Sequence, residues 1–242
     1  FSCNTFFPDY DNADTDTVIP MKQPETSFLN SYTGVYGALT DRNISEATAR
    51  KFGVKVIKDN NGQVKQHIYP FHNGSEIVAT KTRYVDNKNF ACNGTFQGTG
   101  LFGEQLYRNK GGKYLTICEG EVDALSAYEL MGSKWASVSI KNGCQSALRD
   151  VKANYDYINK FDKVVLCFDN DEHGKKAAIK VAQIFEPNKC KIVKLKAKDA
   201  NEYLRAGHSQ DFMKRWWEAQ TFTPAGIVNL KDFDGLYNDE QQ

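Results

Sequence analysis

The sequence predicts an α/β protein: a mainly parallel sheet flanked by helices, preceded by a smaller, mixed α+β part. Three stretches predict it. Residues 164–174 read VVLCFDNDEHG, an apolar run that ends in Asp169 and Asp171. Such a run is the signature of a strand buried on both faces. Residues 114–123, YLTICEGEVD, repeat the pattern and end in Glu119, Glu121 and Asp123. Residues 191–203, KIVKLKAKDANEY, give a third strand-like run, closing on Lys198 and Asp199. Open α/β sheets place ligands just past the carboxyl ends of their strands, so these acids are expected at one edge.

Alternate residues of an extended chain share a face, so Asp169 and Asp171 can present two carboxylates to one spot. Close carboxylates repel and raise each other's pKa unless a cation lies between them. Mg²⁺ takes carboxylate oxygens and keeps positions for phosphate and water. The same Asp-x-Asp also reads as a solvated turn that caps the following helix.

Composition sets the outer bounds. The 242 residues suit two modest domains, and 40% apolar with 25% charged residues is ordinary for a soluble protein. No apolar run is long enough to span a membrane, and no secretory signal pattern is present. A net charge of +1 argues neither for nor against nucleic acid, because local patches matter more than the sum. The six cysteines are scattered without a Cys-x-x-Cys pair, and Cys118 and Cys167 fall inside predicted buried strands. A reduced, cytosolic setting is expected.

In chain order, residues 9–27 are rich in Asp, Asn, Thr and Pro and read as a flexible acidic linker. In 36–56 a short helix is expected, with Ser45 as its N-cap and Gly53 as its stop, leading into a strand. Arg42 reads there as a surface arginine in a turn. QVKQHIYPF (63–71) and SEIVATKTRY (75–84) read as paired strands, with turn chemistry at Asn60-Asn61-Gly62 and His72-Asn73-Gly74. Lys81 and Arg83 alternate onto one strand face and Lys88 follows in the loop before Phe90; the face is either solvated or suited to phosphates. The Gly-rich stretch 93–107 lacks the Gly-Lys-Ser/Thr ending of a phosphate loop and is rejected as one. Leu101-Phe102-Gly103 reads as a turn into a short helix that joins the two halves.

From Lys113 the second half begins. Gly120 permits a tight turn at the strand end. Val122, Leu125, Tyr128 and Met131 recur at helical spacing, predicting a helix with one face on the sheet, ended by Gly132. WASVSI (135–140) is the next strand, and Lys141-Asn142-Gly143 a backbone nest or basic tip beside the site. One helix through Leu148, Val151, Tyr155 and Ile158 returns the chain to Val164, and Ala177, Val181, Ile184 and Phe185 mark another. His173 reads as a first-turn side chain of that helix or a metal ligand. Trp216-Trp217 reads as packing of a final helix, or as a base-stacking platform. After Pro224 the chain turns polar and acidic.

The order strand-Glu-Gly-Glu-x-Asp-helix, strand-Asp-x-Asp-helix, then Lys-Asp-Ala-Asn-Glu resembles the Toprim domain of topoisomerases and primases. Its wording is similar to the primase half of the bifunctional primase–helicases of T-seven-type phages and their relatives, the mitochondrial replicative helicase included. The resemblance runs from about Tyr36 to Val228. It implies a mainly parallel Toprim sheet over residues 111–222, an N-terminal primase subdomain with a basic strand pair over 31–110, a zinc-module remnant and linker over 1–30, and a linker toward a helicase over 223–242. In that family a zinc module precedes the core. Cys3 would match its last ligand, and one thiolate cannot hold Zn²⁺, which wants four ligands; no zinc is expected here. No ATPase motif follows, so no helicase activity is expected in the chain.

What the resemblance implies for chemistry is a DNA primase: template-directed synthesis of short RNA primers from ribonucleoside triphosphates on single-stranded DNA. Mg²⁺ or Mn²⁺ would be held by Glu119, Asp169 and Asp199, with Asp171 as a further ligand or anchor. Glu119 could instead be the general base. Glu121 and Asp123 would support the site, though both also fit as acids stabilised at a helix start. Arg42 matches a basic position of the family and would face substrate; with Lys81, Arg83, Lys88 and Lys198 it would meet nucleotide or template phosphates. A replicative helicase and a DNA polymerase are implied as partners. The implied setting is the cytoplasm of an infected bacterial host, with a mitochondrial setting as the alternative and no membrane. Three other readings compete. They are a Toprim nuclease, a topoisomerase, for whose architecture the chain is too short, and a catalytically inactive arm that binds DNA or helicase.

Overall fold

The computed structural model describes residues 32–223 and divides the chain between Gln105 and Leu106. The expectations for Cys3, the 9–27 linker and the acidic tail after Pro224 lie outside the described residues.

In the first unit a 3-10 turn, Thr40–Arg42, precedes helix α1 (Glu46–Phe52). Ser45 is extended and its hydroxyl accepts the Thr48 N–H at 3.2 Å, while Gly53 at φ 74° ends the helix, as its sequence predicts. Strands β1 (Lys55–Lys58), β2 (Val64–Asn73), β3 (Glu76–Tyr84) and β4 (Phe90–Gly94) form an antiparallel sheet in chain order. Asp59 makes the first hairpin turn by accepting the N–H groups of Asn61 and Gln63, each at 2.9 Å. Strand β4 has no counterpart in the sequence reading. It is an edge strand with mostly exposed residues, so it carries no apolar alternation to betray it. The core of this unit gathers on the Phe102 ring, which meets Phe52, Tyr69 and Phe71 at centroid distances of 5.8, 5.7 and 5.9 Å.

The second unit runs β5 (Gly112–Cys118), α2 (Glu121–Leu130), β6 (Ala136–Ser139), α3 (Ala147–Ala153), α4 (Tyr155–Ile158), β7 (Phe161–Cys167), α5 (Glu172–Ala182), β8 (Cys190–Ile192), α6 (Ala200–Arg205), α7 (Ser209–Trp217) and β9 (Gln220–Thr221). The strand order is β6-β5-β7-β8-β9, parallel except for the antiparallel β9 at the edge. This is the mainly parallel, helix-flanked sheet that the sequence predicts.

Three local expectations need correction. Helix α2 is buried on nearly every side, from Glu121 through Leu130, not on one face. It packs against strands β5 and β6 and also against α6 and α7, so a one-stripe pattern understates its contacts. The single helix expected over 148–158 is broken at Asn154, whose side-chain amide donates to the Asp150 carbonyl at 2.8 Å. The third strand ends at Ile192, well short of Asp199; Val193 still donates to the Leu166 carbonyl, but the chain beyond is loop. The two-residue β9 was too short to leave a pattern.

Strand order explains where the site lies. From β5 the chain crosses through α2 to β6 on one side; from β7 it crosses through α5 to β8 on the other. The crevice outside β5 and β7 is therefore a topological switch point, the place where such sheets bind ligands. Among the described residues, no helix is long and apolar enough to cross a membrane.

Trp216 anchors α7 to this sheet: it is 1% exposed and its Nε1 donates to Thr116 Oγ1 at 3.0 Å. Trp217, 47% exposed, meets Tyr114, Trp135 and Trp216 edge-to-face. Trp216→Ala is expected to cost about 3–5 kcal/mol in urea unfolding, and Trp217→Ala clearly less. Equal losses would contradict this division of packing.

A candidate carboxylate site at the sheet edge

Cys118 pairs in register with Cys167 across β5 and β7, so Glu119 and Asp169 leave the sheet at nearly the same level. Glu119 is half-buried. Its Oε1 accepts the backbone N–H of Cys144 at 3.1 Å, while its Oε2 is buried with no hydrogen-bond partner. Burial pushes the Glu119 pKa up and the Asp171 charge adds to it; the backbone N–H groups of Cys144 and Asp169 pull the other way.

Asp169 is pushed from about 3.8 up to about 7, first by burial and then by the charges of Glu119 and Asp199, with Lys198 opposing. Asp123, in the first turn of α2, is also driven well upward, by burial and then by Asp199, Asp169 and Glu119. Its Oδ1 accepts the Asn201 N–H at 3.2 Å, and Asn201 Nδ2 donates to Ser126 Oγ at 3.0 Å, tying α6 to α2. Five carboxylates thus feel one another: Glu119, Asp123, Asp169, Asp171 and Asp199.

Two of the predicted acids also cap helices. Asp171 is exposed and accepts the Gly174 N–H at 2.8 Å as N-cap of α5. Asp199 accepts the Glu202 N–H at 2.8 Å as N-cap of α6. The cation reading and the capping reading of Asp-x-Asp are therefore not exclusive, since each cap leaves carboxylate oxygen to spare. The loops are joined where the Asn170 N–H donates to the Lys198 carbonyl at 2.7 Å. Gly174 is required: a Cβ there would lie 2.3 Å from the Asp169 carbonyl oxygen.

Glu121 is only 4% exposed, at the start of α2. Lys198 is exposed beside the cluster, and His173 is exposed in the first turn of α5. The remaining cations belong to the first unit. Lys81 and Arg83 stand over the Phe90 ring, 5.0 and 5.5 Å from its centroid, and Lys88 is exposed with φ 59°. Arg42 Nε lies 3.3 Å from Asp41 Oδ2, and Asp41 Oδ1 meets the buried His67 Nε2 at 2.8 Å.

The sequence reading assigned Asp123 a supporting part and did not find Cys144 or Asn201. Cys144 acts through a backbone N–H, which leaves no trace in residue type, and Asn201 through its backbone N–H on Asp123 and its side-chain amide on Ser126. The supporting part of Asp123 is legible because in Glu-Gly-Glu-x-Asp it is one helical turn from the strand end.

Among the described residues, no three His, Cys, Asp or Glu side chains form a ready metal cage. The donor set nonetheless fits a hard divalent cation. It is all carboxylate, Asp169 is raised by burial and then by its acidic neighbours, and Glu119 Oε2 is buried without a partner. Mg²⁺ is commonly held by one or two protein carboxylates, with phosphate and water completing its shell.

Comparison with known proteins gives the context. The Toprim-like family pattern matches residues 116–204. A DNA helicase/primase of Enterobacteria phage T3 is 36% identical over 216 residues, which is 88% of this chain and 37% of that protein. The chain thus spans little more than a third of that curated relative. The crystal structure of the primase fragment of the bacteriophage T7 primase–helicase superposes with a TM-score of 0.67 at 36% identity, covering 74% of each chain. A second bacteriophage T7 structure matches with a TM-score of 0.69 at 36% identity, covering 77% of this chain and 93% of that one. It contains the lagging-strand DNA polymerase interacting with primase domains bound to an RNA/DNA hybrid and dTTP.

The raised acids make a signed prediction. The folded chain holds the Asp169 proton more tightly than the unfolded chain does, so this group's contribution to stability is full below about pH 3.8 and is lost as pH rises through about 7. Glu119 and Asp123 shift in the same direction. Melting curves at pH 5 and pH 8 should show the loss, Mg²⁺ should restore stability at pH 8, and Asp169→Asn should flatten the dependence. A pH 8 melt indifferent to both Mg²⁺ and the substitution would contradict the clustering. Gly174→Ala should lower stability and displace Asp169, read as loss of the Mg²⁺-induced shift.

Proposed function

Because this chain belongs to the Toprim primase family of the bacteriophage T7-type primase–helicases, we propose that it is a DNA-dependent RNA polymerase that makes short primers on single-stranded DNA. The observation that carries this reading is the convergence of Glu119, Asp123, Asp169 and Asp199 beside the β5–β7 crevice. The reaction is attack of a ribonucleotide 3′-hydroxyl on the α-phosphate of an incoming nucleoside triphosphate, with pyrophosphate leaving. Mg²⁺ or Mn²⁺ bound there lowers the pKa of the attacking hydroxyl and neutralises developing negative charge.

Glu119, Asp169 and Asp199 would hold the cation, with Asp171 as a further ligand or anchor and Asp123 as a supporting acid. The half-buried positions of Glu119 and Asp169 keep their carboxylates poorly hydrated, which favours exchange of a proton for a metal ion. Lys198, whose charge already acts on Asp169, would offset the triphosphate. In the first unit, Lys81, Arg83 and Lys88, with Arg42, supply positive charge suited to nucleotide or template phosphates. Phosphoryl transfer asks of a protein mainly positioning and charge stabilisation, which in the second unit the carboxylates and Lys198 would supply. A replicative helicase and a DNA polymerase are the partners this function implies, in the cytoplasm of an infected bacterium.

The test is extension of a supplied diribonucleotide on single-stranded DNA with ribonucleoside triphosphates and Mg²⁺. The intact chain should extend it, and Asp169→Asn should slow extension by about 100-fold or more. DNA cleavage without nucleotides would instead make the chain a nuclease. DNA binding with no extension by the intact chain would make it a non-catalytic arm.

A further inference from the structure

Asp150 is a carboxylate that the proposed chemistry does not use, yet it is buried. It lies in α3 at 2% exposure. Its Oδ2 accepts the Lys141 backbone N–H at 2.9 Å and the Ser146 hydroxyl at 2.9 Å. Its other oxygen lies 3.7 Å from Arg149 Nε, on a side chain 70% exposed. A buried carboxylate costs stability unless hydrogen bonds offset its lost hydration, so its place in the fold calls for a use.

Both of its donors belong to one loop. Residues 141–146 join β6 to α3, and Asp150 grips that loop near each end. Between the grips lie Gly143, at φ 69°, and Cys144, whose backbone N–H donates to Glu119 Oε1 at 3.1 Å. A Cβ at Gly143 would already be 3.5 Å from that same oxygen. The loop thus lies against Glu119, and Asp150 ties it at Lys141 and Ser146 beside the loop's own Ser146 N–H to Gly143 carbonyl bond at 3.1 Å.

We propose that Asp150 is a positioning residue: by clamping the 141–146 loop it holds the Cys144 N–H on Glu119 Oε1 and leaves Oε2 directed for a divalent cation. The proposal rests on the reading of Glu119 as a metal ligand. Residues behind a metal's own ligands orient them, and their loss commonly weakens binding about 10–100-fold.

The probe is Mn²⁺ alone, with free ion counted by electron paramagnetic resonance and folding followed by circular dichroism. Glu119→Gln sets the scale by weakening Mn²⁺ binding. Asp150→Ala should weaken it about 10-fold. Asp150→Asn, which keeps the size and one acceptor oxygen, should fold and lie between the intact chain and Asp150→Ala; it decides the matter if the alanine variant does not fold. Glu119→Gln with Asp150→Asn should bind no more weakly than Glu119→Gln alone, because the clamp acts only through Glu119. A stability-only role would lower the melting temperature and leave Mn²⁺ affinity untouched. Should Glu119→Gln weaken binding while folded Asp150 variants bind normally, the positioning role is overturned and the ligand reading stands. Unchanged binding in Glu119→Gln overturns both.

Discussion

Parallel pairing of β5 with β7 sets Cys118 level with Cys167, and that register brings Glu119 and Asp169 together. Glu119 and Asp169 emerge side by side from two buried strands, where water is scarce and repulsion strong. Neither can be moved apart without slipping a strand pair whose residues from Leu115 to Ile117 and from Val164 to Leu166 are fully buried. The hydrophobic sheet therefore holds together an electrostatically unfavourable pair. The cost is carried by the core and is relieved only when a proton or a cation arrives.

The surrounding elements distribute the remaining charge. Asp171 and Asp199 sit at the amino ends of α5 and α6, where free backbone N–H groups stabilise negative charge. Asp123 is steadied by the Asn201 N–H and by the Asn201–Ser126 link beneath it. Glu119, Asp123, Asp171 and Asp199 each take a backbone N–H on one oxygen, and the site is built as much from N–H groups as from side chains.

Much of this was legible in the sequence because it obeyed period and punctuation. Apolar runs ending in acids marked β5, β7 and their edge; Ser45 and Gly53 marked α1. What escaped did so for physical reasons. Strand β4 is half in solvent, and β9 is two residues long, so neither carries a pattern. The run 191–199 alternates Lys with apolar residues like a half-exposed strand, but beyond Ile192 the ladder stops and the loop turns toward Asp199. Asn154 interrupts a helix whose apolar spacing continues through it, because the spacing reports burial and not continuity. Cys144 could not be foreseen: its contribution is a backbone N–H delivered by a loop whose course depends on Asp150, nine residues from Lys141.

The antiparallel β9 has a consequence for solubility. A parallel sheet that ended at β8 would offer a row of free backbone donors and acceptors to any passing strand, the usual start of edge-to-edge aggregation. Gln220 and Thr221 cover Lys191 and Ile192, and Phe222 donates to the Cys190 carbonyl. The new edge is only two residues long, too short to template another strand. So minor an element, invisible in the sequence, closes the sheet on that side.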